Sequence, residues 1–393
     1  MQPLIRPTGL RRAESSGADR RATWLELFFD LAFAAAIADA GSALSADYTP
    51  EGLLRFGVLF FMIWWAWVGH TFFSTWFDND DLVHRLLTLG QVFLVMVMSI
   101  NTETDMASRE AAGFAAAYAG LRLLLAVQFG RVRSVPETRP FVRVQLIGTI
   151  AASLLWLGVG TAPSWLRLWL LAAALAVEVA TPLVARRAGG VVPADPAHLP
   201  ERFGLFTLIL VGESVLAIAA GMRHQEHWTA GAATSALLGM ALAFAVWWAY
   251  FDTFGVASPE TPDATGQPER LRGWTGTHLP LTFGIAVAAI GIEHTIRLDG
   301  VTPLGESAAL LALGVGMVVG ALGLLAAARP RRLPGGRQLA IRSTILASLA
   351  IPVALAGGSV APVWLLAWCV GLMIAAIALA HRARGTEPAR IPA

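Results

Sequence analysis

Apolar residues run along this chain in blocks of about twenty, and polar residues collect between the blocks instead of alternating within them. A helix rising about 1.5 Å per residue needs roughly 20 apolar residues to cross about 30 Å of hydrocarbon, so each block predicts a membrane-spanning helix. Twelve are read, at 23–45, 52–74, 83–102, 109–130, 141–161, 164–186, 203–222, 231–254, 276–297, 304–328, 338–358 and 361–381. Between them lie Pro, Gly and charge clusters such as "SADYTPEG", "GRVRSVPETRP", "ARRAGGVVPADPAHLPER" and "RPRRLPGGR", which are turn and loop chemistry. Barrel strands would be shorter and would alternate, and these blocks do not. The expected fold class is all-α, a polytopic transmembrane helix bundle.

Composition agrees. With 56% hydrophobic and 14% charged residues over 393 positions, the chain is too apolar for a single soluble core. All 29 basic residues are Arg, and they fall unevenly. Arg6, Arg11, Arg12, Arg20 and Arg21 precede the first span, and Arg131, Arg133, Arg139, Arg186, Arg187, Arg202, Arg270, Arg272, Arg329, Arg331, Arg332, Arg337, Arg382, Arg384 and Arg390 follow on the same side of a twelve-span chain, while the opposite loops hold little beyond Arg109, Arg223 and Arg297. The positive-inside rule then places both termini in the cytoplasm of a cell-membrane protein. Such basicity reports topology and anionic lipid, and no nucleic-acid partner is expected. The single cysteine, Cys369, excludes an intramolecular disulfide and a Cys-rich metal site.

An internal repeat organises the spans. "WWAW" at Trp64–Trp67 returns as "WWAY" at Trp247–Tyr250, an offset of 183, and the same offset carries Asp30 onto Glu213. "HRLLTLG" from His84 returns as "HLPLTFG" from His278. The expected organisation is a basic tail at 1–22, a first six-helix repeat at 23–187, a linker at 188–202, a second repeat at 203–382 and a tail at 383–393. An even number of spans per half makes the repeats parallel. The first span is thus expected to be retained rather than cleaved as a signal peptide.

The blocks "TWLELFFDLAFAAAIA" (Thr23–Ala38), "WFDNDDLVHRLLTLGQ" (Trp76–Gln91) and "ERFGLFTLILVGESVLAI" (Glu201–Ile218) resemble the bacterial low temperature requirement A (LtrA) family, and the likeness extends over nearly the whole chain. The resemblance implies a polytopic membrane protein linked to growth in the cold. It carries over no molecular activity and no catalytic residue.

The acids inside the spans are the candidate chemistry. Glu26 and Asp30, four residues apart, share one helix face one turn apart. Glu26 also suits a capping role in the first turn, where the helix dipole favours a negative charge. Asp30 lies too deep for a cap, and Glu213 sits mid-span between Gly212 and Ser214, where glycine permits close helix approach. A carboxylate at such depth is expected to face the bundle interior with a partner or a proton. Arg122 is a candidate counter-ion for Asp30 or Glu178. His70, in the cytoplasmic half of span 2, and Glu293 with His294, near the outer end of span 9, join Asp30, Glu213, Glu26 and Arg122 as substrate- or ion-binding candidates, while His84 and His278 are read as beginning spans 3 and 9. Asp78, Asp80 and Asp81 lack the glycine and terminal glutamate of a calcium loop; Asp80 or Asp81 is expected to cap span 3, with no metal and no cofactor. "GVGMVVGALG" (Gly314–Gly323) reads as helix packing.

Three function classes compete. A transporter-like protein moving a proton, ion or small polar solute explains the repeat and the intramembrane acids, and is the favoured expectation. A structural or lipid-organising protein of the bilayer explains the cold phenotype. An intramembrane enzyme finds only Ser214 beside Glu213 as an adjacent nucleophile and base, with no G-x-S-x-G or H-E-x-x-H, so no enzyme is expected.

Overall fold

The computed structural model describes residues 9–10, 22–78, 81–102, 111–189, 198–253, 268–299, 301, 305–328 and 336–385. Asp80, Arg109, most of the basic tail, residues 190–197 of the expected linker and the last eight residues lie outside the described residues. Among the described residues, twelve helical segments are long and apolar enough to cross a membrane.

In chain order the helices are α1 (Trp24–Ala46), α2 (Pro50–Trp76), α3 (Leu82–Ser99), α4 (Ala112–Arg131), α5 (Arg139–Thr161), α6 (Ser164–Arg187), α7 (His198–Arg223), α8 (Ala230–Trp247), α9 (Pro268–Arg297), α10 (Ala308–Ala327), α11 (Gly336–Ser348), α12 (Ala350–Ala356) and α13 (Pro362–Gly385). The only extended pairing among the described residues is short and antiparallel, Gly9–Leu10 against Phe77–Asp78. Helices α11 and α12 make one span, broken at Leu349. Pro352 explains the break, because it has no N–H to bond the Ser348 carbonyl.

Two helices begin well before the apolar pattern predicts, and both carry proline in the first turn. Helix α7 starts at His198 rather than 203, and α9 at Pro268 rather than 276. Pro200 and Pro268 occupy first turns, where the missing N–H has no intrahelical partner to lose. His278, read as opening its span, is therefore ten residues into α9 and fully buried.

Helix α3 shows how the membrane inverts the usual pattern. Its exposed stripe is apolar, Leu82, Leu86, Leu89, Phe93 and Met96, while its buried stripe includes Thr88 and Gln91. Hydrocarbon solvates leucine, so polar side chains turn inward. The Asp81 carboxylate accepts the His84 N–H at 2.8 Å and caps α3, which settles the choice between the two candidate caps. Exposed Trp24, Trp165, Trp228 and Trp364 sit at or near helix ends, as an interfacial aromatic belt requires.

The chain divides into two compact units, residues 1–43 with 59–202 and residues 44–58 with 203–393. In the first, α3 packs on α4, α4 on α5, and α5 on α6. An aromatic core of Phe73, Phe77, Phe129 and Phe141 joins α2, α4 and α5 there. In the second, α9 packs on α10, α10 on α11 and α12, and α8 on α13. Within this second unit, the Thr49 hydroxyl donates to Asp47 at 2.7 Å and holds that exposed carboxyl below the usual carboxylate range.

Glycine sets the spacing of α10. A Cβ on Gly314 would lie 2.8 Å from the Ala288 backbone nitrogen of α9, and one on Gly316 would lie 2.6 Å from the Ala350 Cβ of α12. The packing reading of this glycine run holds. Gly212 differs: a Cβ there meets nothing within 4 Å, so it does not serve the close helix approach expected of it. Gly314→Val should therefore destabilise the protein in detergent by about 1–3 kcal/mol, as overpacking does. Gly212→Ala should leave the melting temperature unchanged or slightly raised. A thermal melt of both variants checks the contrast, and an unchanged melt for Gly314→Val would show that α9 and α10 can separate freely.

Candidate functional site

The site grows from the first two turns of α1. Thr23 and Glu26 form a reciprocal capping box, in which the Glu26 N–H donates to the Thr23 hydroxyl at 3.2 Å and the Thr23 N–H donates to Glu26 Oε2 at 2.8 Å. Only one carboxylate oxygen of Glu26 is used this way. The other, Oε1, lies 3.2 Å from His198 Nε2 and 3.2 Å from Arg202 Nη1. Glu26 is thus both the expected cap and a member of a buried charge cluster.

Asp30 follows one turn deeper on the same face. Its Oδ1 accepts the Trp67 indole N–H at 2.7 Å and Arg202 Nη2 at 2.6 Å, and its Oδ2 accepts Arg202 Nε at 3.2 Å. Arg202 therefore grips Asp30 with a two-pronged guanidinium, the strongest geometry for such a pair, and turns its third nitrogen to Glu26. The cluster is sealed: Asp30, His198 and Arg202 have no exposed surface and Glu26 has 5%. Glu201 frames its edge, accepting the Ala22 N–H at 3.0 Å.

Trp67, His198 and Arg202 complete the cluster although the sequence pattern does not mark them as site residues, and Arg202, expected with the cytoplasmic loop arginines, is fully buried instead. His198 and Arg202 fall in "HLPER", which reads as linker because Pro200 punctuates it. The available signal was their i, i+4 spacing, matching that of Glu26 and Asp30 with opposite charge.

A second buried cluster joins α4, α5 and α6. Arg122 Nε is 3.3 Å from Glu178 Oε1, and Glu178 also accepts Tyr118 Oη at 2.9 Å and Trp156 Nε1 at 3.2 Å. Of the two candidate partners for Arg122, the structure selects Glu178. Gly69 of α2 makes room for the guanidinium, since a Cβ there would lie 2.9 Å from Arg122 Nη1. His70 is buried in α2, stacked on Phe29 with centroids 4.0 Å apart.

The remaining candidates belong to the second unit. Glu213 is half-buried on α7, less enclosed than Asp30. Glu293 pairs with Arg297 one turn along α9, and His294 stacks on Tyr48 at 4.0 Å. A π-helical turn at Trp248–Thr253 continues α8 and holds Tyr250, whose hydroxyl meets His278 Nε2 at 3.0 Å. Because His278 Nδ1 donates to the Trp274 carbonyl, Nε2 is the acceptor and Tyr250 the donor. Among the described residues, no group of three or more His, Cys, Asp or Glu side chains could hold a metal ion.

Twelve apolar spans among the described residues and two buried ion-pair clusters define a multi-pass helical membrane protein that buries charge between its helices. The family description "Bacterial low temperature requirement A protein (LtrA)" matches residues 21–380, and the chain belongs to that family. It is 28% identical over 289 residues to "Uncharacterized protein RA0937" of Rhizobium meliloti (strain 1021), covering 70% of each chain. No solved structure matches it significantly.

Removing Arg202 would leave two buried carboxylates without their cation. Arg202→Met should cost about 3–5 kcal/mol, the penalty for breaking a buried pair from one side. Adding Glu26→Gln and Asp30→Asn to that variant should recover most of the loss. Thermal unfolding in detergent measures both. A triple variant no more stable than the single one would mean that packing, not charge, sets the cost.

Proposed function

We propose that this protein is transporter-like, moving an ion or small polar solute through the membrane with the Glu26–Asp30–Arg202 cluster as its charge-bearing centre. The observation that carries this reading is an imbalance. Two carboxylates, Glu26 and Asp30, are buried on one guanidinium, with the His198 imidazole beside them, so acids outnumber guanidinium groups in these contacts. A proton on His198 or on a carboxylate, or a cationic cargo, supplies the difference. Exchange of one for the other is what coupled transport needs, and intramembrane acids of this kind mark ion and proton paths in membrane proteins.

The Arg122–Glu178 cluster favours the second reading, a structural or lipid-organising protein supporting growth in the cold. There one cation meets one carboxylate, and the Tyr118 and Trp156 donors complete it. Such a balanced cluster clamps helices without needing a proton. The transport reading takes the unbalanced cluster as the functional one and the balanced cluster as scaffold. It also takes the two halves as parallel repeats with both termini cytoplasmic, following the Arg asymmetry.

Two measurements test it. Reporter fusions after Arg187 and Arg390 should both report the cytoplasm; a periplasmic signal at either breaks the six-plus-six scheme. Asp30→Asn and Glu26→Gln keep shape and most hydrogen bonding, and each leaves Arg202 one carboxylate partner. Both should insert and elute normally, yet lose pH-dependent flux in proteoliposomes and fail to support cold growth. Should both neutral variants match the parent chain, the acids are packing elements and the structural reading replaces this one.

A further inference from the structure

Beside the acid cluster, α2 and α3 bury polar atoms that neither helix satisfies. Thr88 Oγ1 has no hydrogen-bond partner among the described residues, His70 Nδ1 and Gln91 Oε1 have none of good geometry although the two side chains reach each other, and all three residues are 1% exposed. Their placement is continuous. His84, Thr88 and Gln91 follow one another at i, i+4 and i+7 along one face of α3. Gln91 reaches the His70 side chain, and the His70 and His84 rings lie nearly parallel, 13° apart, with centroids separated by 6.1 Å. That separation is too wide for ring contact.

The titratable and charged groups that act on His70 are His84 from α3, Arg202 from α7 and Glu26 from α1. His70 stacks on Phe29, the residue before Asp30 on α1, and its ring centroid lies 6.1 Å from that of half-buried His84 in the first turn of α3. Phe29 packs flat against the opposite side of the His70 ring and leaves its edge for hydrogen bonding. Nothing in the aromatic core or the Arg122–Glu178 clamp uses this edge.

We propose that His70, Thr88 and Gln91 hold bound water and form a proton path linking the Glu26–Asp30–Arg202 cluster to His84 at the end of α3. Buried polar atoms without protein partners bind water, and one water typically serves about three of them. Thr88 and Gln91 supply the fixed hydrogen bonds that orient such water, and His70 supplies the relay. In each transfer the neutral ring forms an N–H bond at its free nitrogen and breaks the N–H bond at the other. One proton moves on and no electrons are exchanged. Resting on the transport reading, this path makes the proton the coupling ion.

The test uses the purified full chain in liposomes loaded with a pH-sensitive dye, under an imposed pH gradient and with the membrane potential clamped by potassium and valinomycin. The parent chain should collapse the gradient faster than protein-free liposomes do. His70→Gln, which keeps a polar side chain of similar reach but cannot relay, should slow the protein-dependent rate by about a hundredfold or more, the usual contribution of a positioned proton carrier. Thr88→Val, nearly isosteric, should slow it by a smaller factor. A His70→Gln variant that elutes normally and retains the parent rate overturns the path, as does a parent chain no faster than empty liposomes. Should His70→Gln aggregate, Thr88→Val and Gln91→Leu carry the test, and full rates in both overturn the proposal. Flux lost in Asp30→Asn but kept in His70→Gln removes the relay and leaves the transport reading standing. Flux kept in Asp30→Asn but lost in His70→Gln removes the acid cluster from transport and keeps the path.

Discussion

A charge in hydrocarbon must find its partner within the protein, and the contact between Arg202 and Asp30 is where this chain meets that constraint. The lipid offers neither counter-ion nor hydrogen bond, so a carboxylate in α1 requires a donor from another helix. Arg202 supplies three nitrogens to two acids, and Trp67 brings α2 to the same carboxylate. One buried guanidinium thereby ties α1 to the first turns of α7, while the indole ties α1 to α2. The start of α7 at His198 is part of the same arrangement, because a helix begun at residue 203 would leave Arg202 outside it.

The two charge clusters of the first unit solve the same problem in different ways. Around Glu178 the charges balance and two neutral donors complete the carboxylate, which suits a joint between α4, α5 and α6. Around Arg202 the acids outnumber the guanidinium, and a histidine stands beside them. Buried ion pairs are poor sources of net stability, since desolvation offsets most of the attraction. An unbalanced one is poorer still as a clamp, and for that reason a role in moving charge fits it better.

The same solvent logic extends to groups that carry no charge. On α3 the leucines face outward and Thr88 and Gln91 face inward, so the buried side of this helix carries polar groups beside the apolar core of the first unit. With little hydrophobic force between helices, packing relies on close approach of small residues, and the glycines of α10 provide it. Polar side chains can then collect where helices meet, and His70 lies where such a collection adjoins the acid cluster.

How much of this was legible in the sequence depends on the range of the interaction. Element type and number were readable because the hydrocarbon core imposes a length of roughly 20 apolar residues on each span, a local property of the chain. The shared face of Glu26 and Asp30, a cap on α3 from Asp80 or Asp81, and the glycine packing of α10 were readable for the same reason, since each needs only helical spacing. The reach of α7 back to His198 was obscured because Pro200 has the same appearance in a loop as in a first helical turn. Partnership was decided by tertiary structure alone. Asp30 takes Arg202, 172 residues away, and Arg122 takes Glu178. The repeat did not disclose this: Trp67 bonds Asp30, while its counterpart Tyr250 bonds His278, because a carboxylate lies beside the indole and a histidine beside the phenol. The sequence by itself determines which residues are too polar to face lipid, through the cost of desolvating them. Which of them meet, and hence which carboxylate takes which cation, depends on how the helices pack.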